Sequence, residues 1–341
     1  MSMDARIRFY RITQCGYYDH DDFQFGGIAD ILENLKSWIE GKALNETQTY
    51  SVDPENNESD ILRTFCYSIV ANSDEYLMIT WNENADVDGK MASIDGRGTT
   101  GHATIETVEP PEGFIPGYPS LFWIIPSRNL FATIQLNTHL NGRKNLDIYL
   151  NGFLATRSQY VVYEETNGEN SIEGYGCSEN DCRHLKPIFS SVLYRQPGQI
   201  EFIKNNRESI KKFIKKDKFN LERPETTTYW QAIYRFLTGK QTNVCCNVEK
   251  RISVELEMTP SAEELENIIA QWEADIEAFP VGDVGFSLVG HPQLFWLRQS
   301  IASQVFNLDI HPNGESILIP PSELLAELQR KRDIIFSIIR D

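Results

Sequence analysis

Residues 116–136, PGYPSLFWIIPSRNLFATIQL, set two apolar runs either side of the break PSRN. Each run falls well short of the ~20 residues that cross a bilayer as a helix. Pro, Ser and Asn between them are turn formers. The segment therefore predicts a buried antiparallel strand pair, with its Trp and Phe side chains in the core and Arg128 on the turn. The residues that follow, 140–158, place Leu146, Tyr149, Leu150, Phe153 and Leu154 at the i, i+3, i+4, i+7, i+8 spacing of a helix docked on those strands.

The same periodicities read along the chain give a mixture of strands and helices. Residues 5–13 look like a strand, and GGIADILENLKSWIEG (26–41) like an amphipathic helix stopped by Gly41. Residues 62–71 and 75–83 form a predicted hairpin around Asn72-Ser73-Asp74, and 160–165 another strand. NGENSIEGYGCSEND (167–181) reads as a loop, 200–216 as a basic amphipathic helix, and 228–239 as a further helix. Residues 250–258 suggest a strand, and 259–279 a helix capped by Ser261 or Thr259. Strand-like runs at 284–290 and 299–321 precede a last helix over 322–341. The expected class is α+β: antiparallel sheets with packed helices. A globular domain over 1–245 is followed by a smaller, mobile α/β domain over 246–341, with a strand-helix-strand-helix order.

Six cysteines in 341 residues fit free thiols in a reducing compartment. The first residues lack the 7–15-residue apolar stretch of a signal peptide, so the expected location is cytoplasmic. A net charge of −17 argues against a broad nucleic-acid-binding surface. The charge is uneven, however: residues 1–110 hold 20 Asp and Glu against 8 Lys and Arg. An acidic average can conceal a basic site.

Few motifs carry chemistry. Cys177, Cys182 and His184 lie close in sequence, and Cys245-Cys246 could complete a zinc shell, but the C-x4-C-x-H spacing is loose. Asp19-His20-Asp21-Asp22 reads as a solvated acidic turn, and GRGTTGH (96–102) as a hairpin tip lacking the P-loop pattern. No G-x-S-x-G is present. The expectation is a protein with no catalytic residues, no metal and no cofactor.

The most informative local feature is basic. Lys204, Arg207, Lys211, Lys212, Lys215, Lys216 and Lys218 face only Glu208 and Asp217 within 204–218. On a helix these lysines would form a stripe able to track phosphates. Arg330, Lys331 and Arg332 on the last helix could extend such a surface.

The order of segments from about residue 60 onward resembles the Rex A-like phage exclusion proteins. The likeness rests on GYPSLFWIIPSRNLFATIQL with the helix LDIYLNGFL, and on the strand KRISVELEM, the helix after it, the FSL strand (286–288), the apolar strands of 301–319 and the final Glu/Leu/Arg helix. This resemblance implies an RdgC-like fold with a mobile second domain, a homodimer, and binding to double-stranded DNA with little sequence preference. It further implies an anti-phage sensor that signals to a membrane-protein effector. Where the family carries basic residues just after the FSL strand, this chain has Val289, Gly290 and His291. That difference moves the expected DNA contact to 204–218 and 330–332. Two other functions fit the residues: an acidic protein-interaction subunit using 53–60 and 74–88, and a metal-dependent nuclease using Asp19, Asp21 and Asp22 or the Cys177/Cys182/His184 loop.

Overall fold

The structure is a computed structural model that describes residues 2–52, 62–84, 93–95, 97–100, 105–106, 113–136, 142–166, 169–178, 181–196, 198–219, 250–278, 282–310 and 319–339. In chain order it opens with strands β1 (Met3–Asp19) and β2 (Asp22–Phe25), then helix α1 (Ile28–Ile39). Strands β3 (Thr64–Asn72), β4 (Glu75–Glu83), β5 (Ser93–Asp95), β6 (Ile105–Glu106), β7 (Phe114–Ile125) and β8 (Leu130–Leu136) lead to helix α2 (Arg143–Thr156). Next come β9 (Val161–Thr166), β10 (Glu169–Tyr175), β11 (Lys186–Leu193), α3 (Gln199–Asn205) and β12 (Ile210–Phe219). The remainder is β13 (Lys250–Glu257), α4 (Ala262–Ala278), β14 (Asp283–Leu288), β15 (Leu294–Trp296), β16 (Ser303–Leu308), α5 (Pro321–Arg330) and α6 (Arg332–Phe336). Antiparallel sheets with helices packed on them make this an α+β protein.

The chain forms two compact units, Met1–Tyr194 with Ala302–Ile339, and Arg195–Ile301. This differs from the expected division into 1–245 and 246–341. The proposed boundary at 245 lies outside the described residues, but long-range strand pairing draws the units differently. β12 pairs with both β13 and β14, which binds 210–219 to the later segment. β16 pairs with β1, Met3 opposite Leu308 and Arg8 opposite Ser303, which returns the C-terminal part to the first unit.

In the first unit the 17-residue β1 is the hub of a sheet ordered β11-β1-β8-β7-β4-β3. Alternation sends Ala5, Ile7 and Phe9 to one face, where they join Leu77, Ile79, Trp81, Trp123, Ala132 and Ile134. Leu324, Leu325, Leu328 and Ile335 from α5 and α6 belong to the same core cluster. On the other face Tyr10 stacks on Phe131 with ring centroids 5.0 Å apart. α2 covers this side, burying Leu146, Tyr149, Leu150, Phe153 and Leu154 as its periodicity predicts. The β7–β8 pair is buried as expected, with Ile125 opposite Leu130 and the turn closed by Asn129 at φ 50°. Ser73 and Asp74, at φ 48° and 63°, make the two-residue β3–β4 hairpin loop with both φ values positive.

The second unit leaves and rejoins the first at one place. Tyr194 N–H donates to Phe9 O at 3.0 Å, Phe9 N–H to Ala302 O at 3.0 Å, and Ala302 N–H to Tyr194 O at 3.1 Å. Within the second unit the sheet order is β13-β12-β14-β15. α4 starts with a reciprocal cap: Glu264 N–H donates to Ser261 Oγ at 3.2 Å and Ser261 N–H to Glu264 Oε2 at 2.7 Å.

Four sequence expectations need correction or placement. The expected helix over 200–216 holds only as far as Asn205, where α3 ends, and Lys211, Lys212, Lys215, Lys216 and Lys218 lie on β12. Residues 167–181 are not all loop, because β10 pairs with β9 through Ile172 opposite Tyr163. The last helix is interrupted at Lys331. The expected helix over 228–239 lies outside the described residues.

Candidate nucleic-acid interface

β12 reads IKKFIKKDKF, and its apolar residues at 210, 213 and 214 have helical spacing. A β-bulge explains how a strand accommodates them. The register against β14 shifts between Ile210, opposite Leu288, and Lys212, opposite Ser287. The extra residue, Lys211, lets Ile210 and Phe213 point to the same face although they are three apart. That face meets Leu288, Phe286 and Val284, all buried. Lys212, Ile214 and Lys216 point the other way, opposite Ser287, Gly285 and Asp283.

This second face is polar except where Trp296 covers it. A Cβ added to Gly285 would lie 2.8 Å from the Trp296 ring, so the indole rests on bare backbone. Lys216 Nζ sits 4.1 Å from the ring centroid on a cation–π contact. Burial raises the Asp283 carboxyl above the ordinary carboxylate value, although the Arg298 and Val284 N–H groups donate to it at 3.0 and 2.9 Å.

The register with β13 divides the strand pair into two ends. At one end Lys212 Nζ lies 3.7 Å from both Glu255 and Glu257, so its charge is met by two acids. At the other end Lys216 is opposite Ser253, Lys218 opposite Arg251, and Phe219 opposite Lys250. The register thus makes Lys218 and Arg251 partners, two residues along β12 from exposed Lys216, with Lys250 the next residue along β13. Sequence reasoning missed Lys250 and Arg251, because only strand register joins them to the lysine run.

The remaining candidates are distributed as follows. Lys204 Nζ pairs with Glu266 at 2.6 Å. Arg207 donates to Pro260 O at 3.1 Å and lies 3.5 Å from Glu208. Lys211 is exposed and Lys215 half-buried. In the first unit, Arg330 meets Glu327 and Asp309, each at 2.6 Å. Lys331 meets the same two acids at 3.2 and 3.3 Å. Arg332 lies 3.2 Å from Glu75, its guanidinium 4.9 Å from the Phe336 ring centroid. The 330–332 cluster is therefore held by carboxylates of its own unit. Burial pushes the Glu327 carboxyl up, but hydrogen bonds from Arg330, the Asp309 N–H and Lys331 outweigh it and hold the group at about 2.

The other motifs take structural places. Asp19 to Asp22 form the β1–β2 turn, with His20 exposed and its Nδ1 2.8 Å from Asp19 Oδ1. Cys177 is exposed, Cys182 half-buried, and both are free thiols; Cys245 and Cys246 lie outside the described residues. Among the described residues no group of three or more His, Cys, Asp or Glu side chains is placed to hold a metal ion. Of residues 96–102 only 97–100 are described, and there Thr99 bridges to Ala43. No helix of the described residues is long and apolar enough to cross a membrane. No protein-family model, curated protein or solved structure matches the chain.

Proposed function

We propose that this protein is a non-catalytic sensor that binds double-stranded DNA with little sequence preference, in the manner of the phage exclusion proteins its segment order resembles. The contact is assigned to the basic end of the β12–β13 pair. The observation that carries this reading is the register that sets Lys218 opposite Arg251 beside Lys216 and Lys250. A strand pair of about 3.3 Å rise per residue spaces alternate side chains about 7 Å apart, close to the separation of successive phosphates on one DNA strand. Lys204, Arg207 and Lys212, each paired with an acid or a carbonyl, hold the fold of this unit, while Arg330, Lys331 and Arg332 do the same in the first. As the resemblance implies, the protein acts as a homodimer in anti-phage defence and passes its signal to a membrane-protein effector.

Fluorescence anisotropy with two unrelated duplexes across a salt series tests the reading. Expected are similar affinities for both duplexes and a log–log salt slope near −0.9 per phosphate neutralised. The triple variant K216E/K218E/R251E should lose binding while remaining folded. Binding that ignores salt, or that survives the triple variant, would refute the assignment.

A further inference from the structure

Among the described residues the sheet of the second unit ends in β13, which pairs with β12 alone. An edge strand carries a row of backbone N–H and C=O groups without neighbours, and proteins commonly cover it. The β11 edge of the first unit shows how this chain does so. Asn151 on α2 donates to Phe189 O at 2.8 Å and accepts from Phe189 N–H at 2.9 Å, and Arg143 donates to Ser191 O. Among the described residues β13 has no such cover. It holds no proline and no bulge, and Ser253, Glu255, Leu256 and Glu257 are exposed, Leu256 by 50%.

Strand alternation fixes which backbone groups point outward. Met258 N–H donates to Lys211 O at 3.2 Å, and the register with β12 runs without a shift from Glu257 opposite Lys212 to Lys250 opposite Phe219. Even-numbered residues of β13 therefore turn their backbone groups to β12, while Ser253, Glu255 and Glu257 turn theirs away. Among the described residues no hydrogen bond uses those outward N–H groups.

A strand added at this edge must meet odd positions with its own outward groups, and KRISVELE is complementary to itself under that rule. A two-fold axis at Val254 sets Arg251 opposite Glu257 of the second copy, Ser253 opposite Glu255, and Ile252 opposite Leu256. Base meets acid, hydroxyl meets carboxylate, and the apolar residues fall at the closer, non-hydrogen-bonded positions. An axis at Glu255 would oppose two carboxylates, and one at Ser253 would set Leu256 against Lys250. We propose that β13 pairs antiparallel with β13 of a second copy about Val254, joining the two sheets into one. This gives the homodimer of the proposed function its interface and rests on that reading for the number of copies. Lys216, exposed and one strand in from the edge, is left to the DNA contact.

Sedimentation of the full chain without DNA tests this from about 1 to about 100 μM, the range suited to an interface as small as one strand pair. A concentration-dependent monomer–dimer equilibrium is expected. Ser253→Pro removes an outward N–H and no bond to β12, and Leu256→Lys puts a charge at an apolar pair. Each should leave the circular dichroism unchanged and the protein monomeric. R251E and E257R each set like charges opposite one another and should weaken dimerisation about tenfold or more. The double variant R251E/E257R restores opposite charges and should recover the dimer. A monomeric parent, a dimer that survives both Ser253→Pro and Leu256→Lys, or a double variant no better than the single ones would overturn the interface. Survival in both strand variants would remove this interface while leaving the homodimer reading in place. DNA anisotropy on the same samples keeps the two readings apart, since a lost dimer with DNA bound, or the reverse, bears on one of them alone.

Discussion

Arg332 Nε lies 3.2 Å from Glu75 Oε1, while the other oxygen of the same carboxylate, Oε2, accepts from Trp123 Nε1–H at 3.0 Å. Glu75 is 3% exposed, and Trp123 stacks on Phe336 at 5.4 Å between centroids. The pair therefore fastens the last helix to the central sheet. Arg332→Ala strands a buried carboxylate and should cost about 1–3 kcal/mol in urea unfolding. DNA affinity of the folded fraction should stay unchanged, since Arg332 serves the fold.

Acid stability should depend on Glu327. Its carboxyl is held at about 2, below the ordinary value of 4.5. The folded state thus binds this proton more weakly than the unfolded chain does. The resulting stabilisation is present in full above about pH 4.5 and is lost as pH falls toward about 2. Glu327→Gln should flatten the loss of stability across that window, measured as urea midpoints from pH 5 to pH 2.

Lys212 is restrained by Glu255 and Glu257, each at 3.7 Å. The double variant E255Q/E257Q frees an ammonium next to the basic end of the strand pair. DNA affinity at low salt should rise, and the salt slope should steepen by about 0.9 for one added phosphate contact. An unchanged slope would place Lys212 outside the contact.

Gly285 sits beneath the Trp296 ring, where a Cβ would approach within 2.8–3.0 Å of three ring atoms. Gly285→Ala must displace the indole and with it the Lys216 contact. A cost of about 1–3 kcal/mol and a shifted tryptophan emission are expected, with far-ultraviolet circular dichroism little altered.

Sequence pattern reveals elements whose burial has one clear period. α2 was legible because its five buried residues form a single stripe, and the β7–β8 pair because its turn residues interrupt two apolar runs. β12 was misread because the bulge at Lys211 gives a strand the three-residue apolar spacing of a helix. β10 escaped notice since its one large aliphatic residue, Ile172, is 42% exposed and leaves no buried face to read. Arg251, Glu255 and Glu257 could not be joined to the lysines without the strand register. Charge density alone marked Lys331 and Arg332 as surface residues for a ligand, whereas Glu327 and Glu75 claim them.

The hydrogen bonds among Tyr194, Phe9 and Ala302 close the first unit across the point where residues 195–301 depart and return. Chain stubs already held by a 3.1 Å bond need only a minimal bridge, and loop-closure entropy grows slowly with the length of whatever joins them. The second unit is accordingly an exchangeable cassette. The segment between the two stubs can be excised, lengthened or swapped for another without re-engineering the scaffold that carries it.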